Sequence, residues 1–362
     1  MRSGPPAVYI YGDDERTMDE QCGADPHPAS PIRTMSVVEQ ALAPRDLEQQ
    51  LESHRRELTG YCYRMLGSVD ECEDLVQDTY LRAWRSFEGF EGRSSVRLWL
   101  YKIATNVCYD ALNGRSRRAR PMDLGPAGAP IAENLHMLTE TTWIEPVPDV
   151  LVTAPEDPAE VAQSRESLRL AFVAALQHLP PRQRAALILV EVLRWKASEA
   201  AELLETSVAG INSALQRARA TLETTGVSEA DPLPDMDSEQ RDLLARYVEA
   251  FERYDIDSLT SLIREDATQS MPPYDLWLSG REDIFTWWLG PGIGCRDSRV
   301  IPVGTANGTA VFGQYKPSES GSGRDPWALQ VIELRDGRIG ELTFFLDTEH
   351  LFPLFGLPPR LD

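Results

Sequence analysis

The sequence predicts a multidomain protein in which two all-α modules precede a single α+β unit. Three observations carry that reading. Apolar residues recur at helical spacing from Leu47 to about Arg118, and again from Ser164 to about Thr224. Between these stretches Pro121, Pro126, Pro130, Pro146, Pro148, Pro155 and Pro158 break any long helix. Beyond residue 240 helical patterns give way to alternating runs joined by Asn307-Gly308 and Asp336-Gly337, dipeptides that accept the positive φ values of two-residue hairpin turns. At 362 residues, the chain is long enough for each unit to hold a core of its own.

The elements follow in order. Residues 1–46 are rich in Pro, Gly and acid, show no sustained period and read as a disordered extension, with Met35 opening a more protein-like stretch. In the first module, 47–120, EDLVQDTYLRAW at 73–84 places Val76, Tyr80 and Ala83 or Trp84 on one apolar line that runs on to Phe87. A second line of Asp74, Gln77 or Asp78, Leu81 and Arg85 mixes acid, amide, leucine and base, and an ordinary core face does not explain it. FEGFEGRSS at 87–95 is a loop. The next helix has its apolar line at Val96, Trp99, Leu100, Ile103, Val107 and Ala111, with Lys102, Thr105, Asn106 and Tyr109 on the other face.

A Pro-rich linker covers 121–163, and its WIEPVPDV segment, with a tryptophan and two valines among prolines, is expected to dock in a groove. In the second module, 164–226, Pro180 and Pro181 mark a helix start. A short helix over 198–204 then precedes one capped by Thr206 or Ser207. The second helix is expected to bury Val208, Ile211, Leu215, Ala218 and Leu222 and to expose Ala209, Asn212, Ser213, Gln216 and Arg219, with Arg217 close by. This is the grammar of a helix-turn-helix, in which Asn and Gln pair with base edges and Arg holds bases or phosphates. An acidic linker at 227–239 leads to the third unit, 240–356, read as a curved sheet wrapping a helix layer.

The formal net charge of −21 disfavours unaided binding to nucleic acid, since phosphate contacts rest on cations that displace counterions. Basic residues nevertheless concentrate at Arg115, Arg117, Arg118 and Arg120, at Arg182, Arg184, Arg194 and Lys196, and at Arg217 and Arg219. A chain built this way is expected to hold DNA only locally and to need a partner for tight binding. No run of 18 apolar residues and no secretory leader occurs, so a cytoplasmic protein without a membrane span is expected. The five cysteines are scattered without metal-ligand spacing, so reduced thiols, no metal and no cofactor are expected.

Three motifs in fixed order, EDLVQDTYLRAW, FEGRSSVRLWLYKIATNVCYDAL with RSRRAR, and LPPRQRAALILVEVLRWKASEAAELLETSVAGINSALQRARATL, resemble regions 2 and 4 of extracytoplasmic-function sigma factors, the promoter-recognition subunits of bacterial RNA polymerase. The third unit resembles the SnoaL-like cone. The resemblance implies that Asp74, Leu75, Gln77, Asp78, Leu81 and Trp84 bind the clamp of the largest polymerase subunit, which would explain the mixed face. It also implies the flap as a second polymerase contact and promoter DNA as the other partner. It implies a minus-ten site of Phe90, Gly92, Ser94, Ser95, Lys102, Asn106, Arg115, Arg117 and Arg118, with Asn106 reading a flipped base and Trp99 read as core. It implies a minus-thirty-five site of Ser207, Asn212, Ser213, Gln216, Arg217 and Arg219, with help from Arg182 and Arg184.

For the cone, Asp275, Asp347 and His350 are the candidate bases and Tyr247, Tyr254, Trp277, Trp287 and Trp288 the candidate pocket lining. None forms a diagnostic pair by spacing, so no catalytic residue is assigned and a regulatory role is preferred. No ligand class follows from the sequence. The alternatives are a stand-alone helix-turn-helix regulator and a sigma factor fused to a small-molecule enzyme domain.

Overall fold

In the first module α1 (Pro44–Ser53), α2 (Arg55–Leu66), α3 (Val69–Ser86) and α4 (Val96–Leu112) form a bundle. The computed structural model describes residues 44–90, 92, 94–152, 167–224 and 236–362. Of the predicted extension, 1–43 lies outside the described residues, as do 153–163 of the first linker and 227–235 of the second; Pro44 already opens a helix. Gly67 ends α2 at φ 76°, and Ser68 caps α3 by accepting the Glu71 N–H. Leu58, Tyr61, Met65, Val76, Ala83, Leu100, Ala104 and Cys108 fill the interior. α4 is rotated from its predicted face. Thr105 is interior and bonded to the Tyr61 hydroxyl at 2.8 Å, because a hydroxyl facing a buried phenol is satisfied without water.

The second module comprises α6 (Leu170–Gln177), α7 (Pro181–Leu187), α8 (Ala197–Leu203) and α9 (Val208–Thr224); α5 (Asp149–Val152) precedes it in the linker. Ile211, Leu215 and Ala218 are buried as the period requires. Val208 is 44% exposed, contrary to expectation.

The third unit begins with α10 (Ser238–Arg253) and α11 (Ile256–Leu262). It continues through β1 (Ile263–Ser270), β2 (Trp277–Ser279), α12 (Arg281–Leu289), β3 (Arg299–Ala306), β4 (Thr309–Pro317), β5 (Arg324–Arg335) and β6 (Arg338–Phe345). A final helix, α13 (Thr348–Leu354), was not foreseen. The sheet order is β2-β1-β6-β5-β4-β3, with only β1 and β6 parallel. Asn307 and Gly308 (φ 52° and 74°) turn β3 into β4, and Asp336 and Gly337 (50° and 70°) turn β5 into β6, as predicted.

Each face of the sheet has its own core. α10, α11 and α12 pack on one face around Tyr247, Phe251, Trp288, Phe312 and Phe344. On the other, Val311, Tyr315, Leu329, Val331 and Phe345 join Leu351 and Phe352 and continue into the interior of both helical modules. With both faces covered, β4 to β6 are buried along most of their length.

The linker reaches both edges of the sheet. Gly128 N–H donates to Trp277 O at the β2 edge (3.0 Å), and Pro148 bridges Ala306 at the β3 edge. Between these points Trp143, Ile144 and Val147 are buried, so the WIEPVPDV segment is seated in a groove.

Candidate functional site

Helix α3 buries Val76, Thr79 and Ala83 and turns its other side to solvent. On that side Asp74, Gln77, Leu81 and Trp84 are exposed and Leu75 and Asp78 half-buried. Leu81 is 49% exposed and Trp84 52%, so the period resolves in favour of Ala83 as the core residue. Arg82 bridges Asp78 at 3.0 Å and Asp110 of α4 at 3.2 Å, tying the acid rim to the bundle. Two large apolar side chains ringed by charge form a patch suited to a specific, reversible protein contact.

The loop before α4 brings Phe90 against Trp99 with ring centroids 4.7 Å apart; Trp99 is half-buried and packs against the core. Gly92 takes φ 69°. Ser95 is the cap of α4, accepting the Leu98 N–H, and Ser94 is half-buried beside it. Asn106 is exposed, and Lys102 pairs with Glu205 of the second module at 2.7 Å.

The arginines after α4 separate into two kinds. Arg115 is exposed and pairs with Glu71 at 2.6 Å; exposed Arg117 lies against the His178 ring, 2.6 Å from Nε2. Arg118 is buried, and its placement corrects the expectation of a phosphate contact. Its guanidinium holds Glu71 and Glu145, each at 3.1 Å, and donates to Trp143 O at 2.6 Å. Arg120 is likewise drawn inward, to Asp123 at 3.1 Å.

In the helix-turn-helix, Asn212, Ser213, Gln216, Arg217 and Arg219 are all exposed on one side of α9. Ser207 caps the helix, accepting the Gly210 N–H at 3.1 Å. Arg219 pairs with Glu191 at 2.6 Å. Arg182 is exposed, but Arg184 is buried, donating to Met65 O, to Gln177 Oε1 at 2.6 Å and to Leu179 O at 3.1 Å, which removes it from any DNA-facing surface.

Inside the cone the candidate lining is core. Tyr247 donates to Gln330 Oε1 (3.0 Å), Gln330 to Gln314 Oε1 (2.9 Å) and Gln314 to Ser298 Oγ (2.9 Å), a buried relay in which each amide is paired. Trp288 Nε1 donates to Gln269 Oε1 at 2.7 Å, Tyr254 donates to Trp288 O at 2.9 Å, and Trp287 is buried. Trp277 Nε1 donates outward to Gly125 O of the linker. Asp275 accepts the His136 N–H of the same linker at 3.2 Å, and Asp347 and His350 pair with each other on the surface at 2.9 Å.

Two residues missed in the sequence join the units. Asn307, read only as a turn residue, is buried: Nδ2 donates to the Tyr63 hydroxyl (2.7 Å) and Leu168 O (2.6 Å), and Oδ1 accepts the Val147 N–H (2.9 Å). Glu145 of the linker accepts from Ser68 Oγ (2.8 Å) and Val69 N–H (2.9 Å) at the start of α3. Nearby, Glu333 and Glu341, opposite each other on β5 and β6, meet Arg169, Arg335 and Arg120 from three segments. An unpaired reading of the chain carries no signal for such partners.

Burial holds the carboxyls of Glu145 and Glu341 above the usual carboxylate range, although Arg118 and Arg120 respectively pull them back. An acid whose pKa is raised on folding adds stability below its unfolded pKa and loses it as pH rises through the folded value. Acidification from about pH 7.5 to about pH 5 is therefore expected to strengthen this junction. Thermal unfolding of the full chain at the two pH values checks this, and Glu341→Gln or Glu145→Gln should flatten the trend.

Two helical modules, one with exposed Leu81 and Trp84 on α3 and the other with a helix-turn-helix, pack against an α+β cone. Residues 51–118 match the Sigma-70 region 2 family, 169–222 the Sigma-70 region 4 family and 244–342 the SnoaL-like domain. The chain is 47% identical over 319 residues to the ECF RNA polymerase sigma factor SigG of Mycobacterium tuberculosis (strain CDC 1551 / Oshkosh), covering 87% of this chain and 85% of that protein. It is 28% identical over 220 residues to the ECF RNA polymerase sigma factor SigJ of M. tuberculosis (strain ATCC 25618 / H37Rv), covering 60% of this chain and 62% of SigJ. The SigJ crystal structure shares the fold, with a TM-score of 0.54 at 22% identity over 86% of this chain and 99% of that one.

The chain belongs to the extracytoplasmic-function RNA polymerase sigma factors. It is a subunit for transcription initiation that works with core RNA polymerase and promoter DNA, and not an enzyme. The stand-alone regulator alternative is set aside by the region 2 match. Among the described residues no helix is long and apolar enough to cross a membrane.

Proposed function

We propose that the chain acts in the cytoplasm, that Asp74, Leu75, Gln77, Asp78, Leu81 and Trp84 seat region 2 on the clamp of the largest polymerase subunit, and that region 4 engages the flap. The observation that carries this is the exposure of Leu81 and Trp84 on an acid-rimmed helix face. The minus-ten element is read by Phe90, Gly92, Ser94, Lys102 and Asn106, with Arg115 and Arg117 on phosphates. Ser95 and Ser207 serve as caps that aim their helices. The minus-thirty-five element is read by Asn212, Ser213, Gln216, Arg217 and Arg219. The working units are 47–120, 164–226 and 240–356, and the last modulates the other two.

Run-off transcription with core enzyme tests this. The full chain is expected to support initiation only when core polymerase is present. A chain ending at Thr224 should initiate at a level differing by about fivefold or more, the usual scale of coupling between sites. Equal activity of the two chains would remove the modulating role.

A further inference from the structure

We propose that Cys295 is a thiolation site: a small disulfide bearing carboxylates exchanges with its thiol, and Lys316 beside it selects the acidic reagent. This goes beyond the initiation reading and does not depend on it.

Among the described residues Cys62, Cys72 and Cys108 are fully buried in the interior of region 2, whereas Cys295 is half-buried. It ends the short 3₁₀ turn Pro291–Cys295 that follows α12. Ile293, two residues earlier, is 43% exposed, and Trp327, whose side chain reaches the sulfur, is 38% exposed, so a small molecule in solvent can meet the group.

Three side chains converge on that sulfur. Gln314 and Lys316 of β4 and Trp327 of β5 are each hydrogen-bonded to it. All three offer N–H donors, and donors aimed at sulfur favour the thiolate. Gln314 is not free to turn away: its Oε1 accepts from Gln330 at 2.9 Å, which leaves its amide nitrogen for Ser298 Oγ, also at 2.9 Å, and for the sulfur.

Lys316 supplies the charge. Its ammonium lies 2.9 Å from the centroid of the Trp327 ring and has no carboxylate partner among the described residues. Asp325, opposite it on β5, pairs with Arg360 at 3.7 Å instead. The residue after Cys295, Arg296, lies over the Tyr254 ring at 5.5 Å and also has no carboxylate partner among the described residues. A cation held on an aromatic face keeps its charge available. In a chain of net charge −21, two such cations beside one accessible thiol are a local exception.

Burial pushes the thiol up from its ordinary range, and Lys316 pulls it back; burial in turn pushes the Lys316 ammonium down. In the exchange the Cys295 thiolate attacks one sulfur of the incoming disulfide. That S–S bond breaks, a new one forms to Cys295, and the departing thiolate takes up a proton in place of the one Cys295 released. One disulfide replaces another, so no further oxidant is needed. An ammonium has three donors, so Lys316 can steady the thiolate and meet a carboxylate of the reagent at once.

The test uses the full chain carrying Cys22→Ser, which removes the cysteine outside the described residues. It is exposed in parallel to oxidised glutathione, an acidic disulfide, and to cystamine, a cationic one, and adducts are located by peptide mass spectrometry. Each rate is divided by that of free cysteine with the same reagent. The adduct should form at Cys295 ahead of Cys62, Cys72 and Cys108, with oxidised glutathione favoured about fivefold, the scale of one charge pair at contact in water. That advantage should vanish in Lys316→Met and persist in Lys316→Arg. In the unsubstituted site it should shrink as salt rises from about 0.01 M to about 1 M, where the screening length falls to about 3 Å.

Adducts absent from Cys295 or spread evenly over the other cysteines, equal relative rates for the two disulfides, or an advantage that survives Lys316→Met would each overturn the proposal.

Discussion

Leu81→Glu is expected to weaken binding to core polymerase by about 30-fold or more, the effect of losing roughly 2 kcal/mol at a central apolar contact. The side chain is half exposed on α3 and takes no part in the interior, so thermal stability should hold within about 0.5 kcal/mol. That separation of effects is the discriminating feature. A residue that merely supported the bundle would lose stability and affinity together. Titration of labelled core enzyme, with a melting curve on the same sample, reads both. Trp84→Ala should act in the same direction, and undiminished affinity in Leu81→Glu would remove the assigned docking face.

Asn307→Ala should have the largest effect on the cone. It removes three hydrogen bonds at one buried site and leaves the Leu168 carbonyl and the Val147 N–H without their partner. Stranded buried groups cost about 1–3 kcal/mol each, so a loss of about 3 kcal/mol is expected in denaturant unfolding. Alanine also fits poorly at φ 52°, where asparagine is one of the tolerated residues. Asn307→Asp keeps the acceptor for Val147 but places a carboxylate against the Leu168 carbonyl, so it should not rescue. An Asn307→Ala chain as stable as the parent would mean that the hairpin tip does not clasp region 2.

Much of the fold was legible because local chemistry decided it. The α3 and α9 faces follow from period, and both hairpins from Asn-Gly and Asp-Gly. The misreadings share one cause. Arg118, Arg184 and Thr105 look like surface residues in their own segments and become interior because Glu71, Glu145, Met65 and Tyr61 meet them from elsewhere in the chain. Helical period reveals an apolar stripe but not a polar residue that is buried with its complement. Ser95 and Ser207 show the reverse, since their cap chemistry is local and their assignment to DNA came from the resemblance alone. The aromatic residues of the cone read equally as pocket lining, because a sequence does not distinguish a wall from a filling.

The clasp at Asn307 lies late in the chain, after both helical modules. During synthesis those modules leave the ribosome first and can fold before the hairpin tip exists, and at ordinary elongation rates the interval is several seconds. Every newborn copy thus passes through a brief unclasped youth, and restraint is acquired with the last third of translation. A message cut short before that point would deliver a permanently juvenile protein.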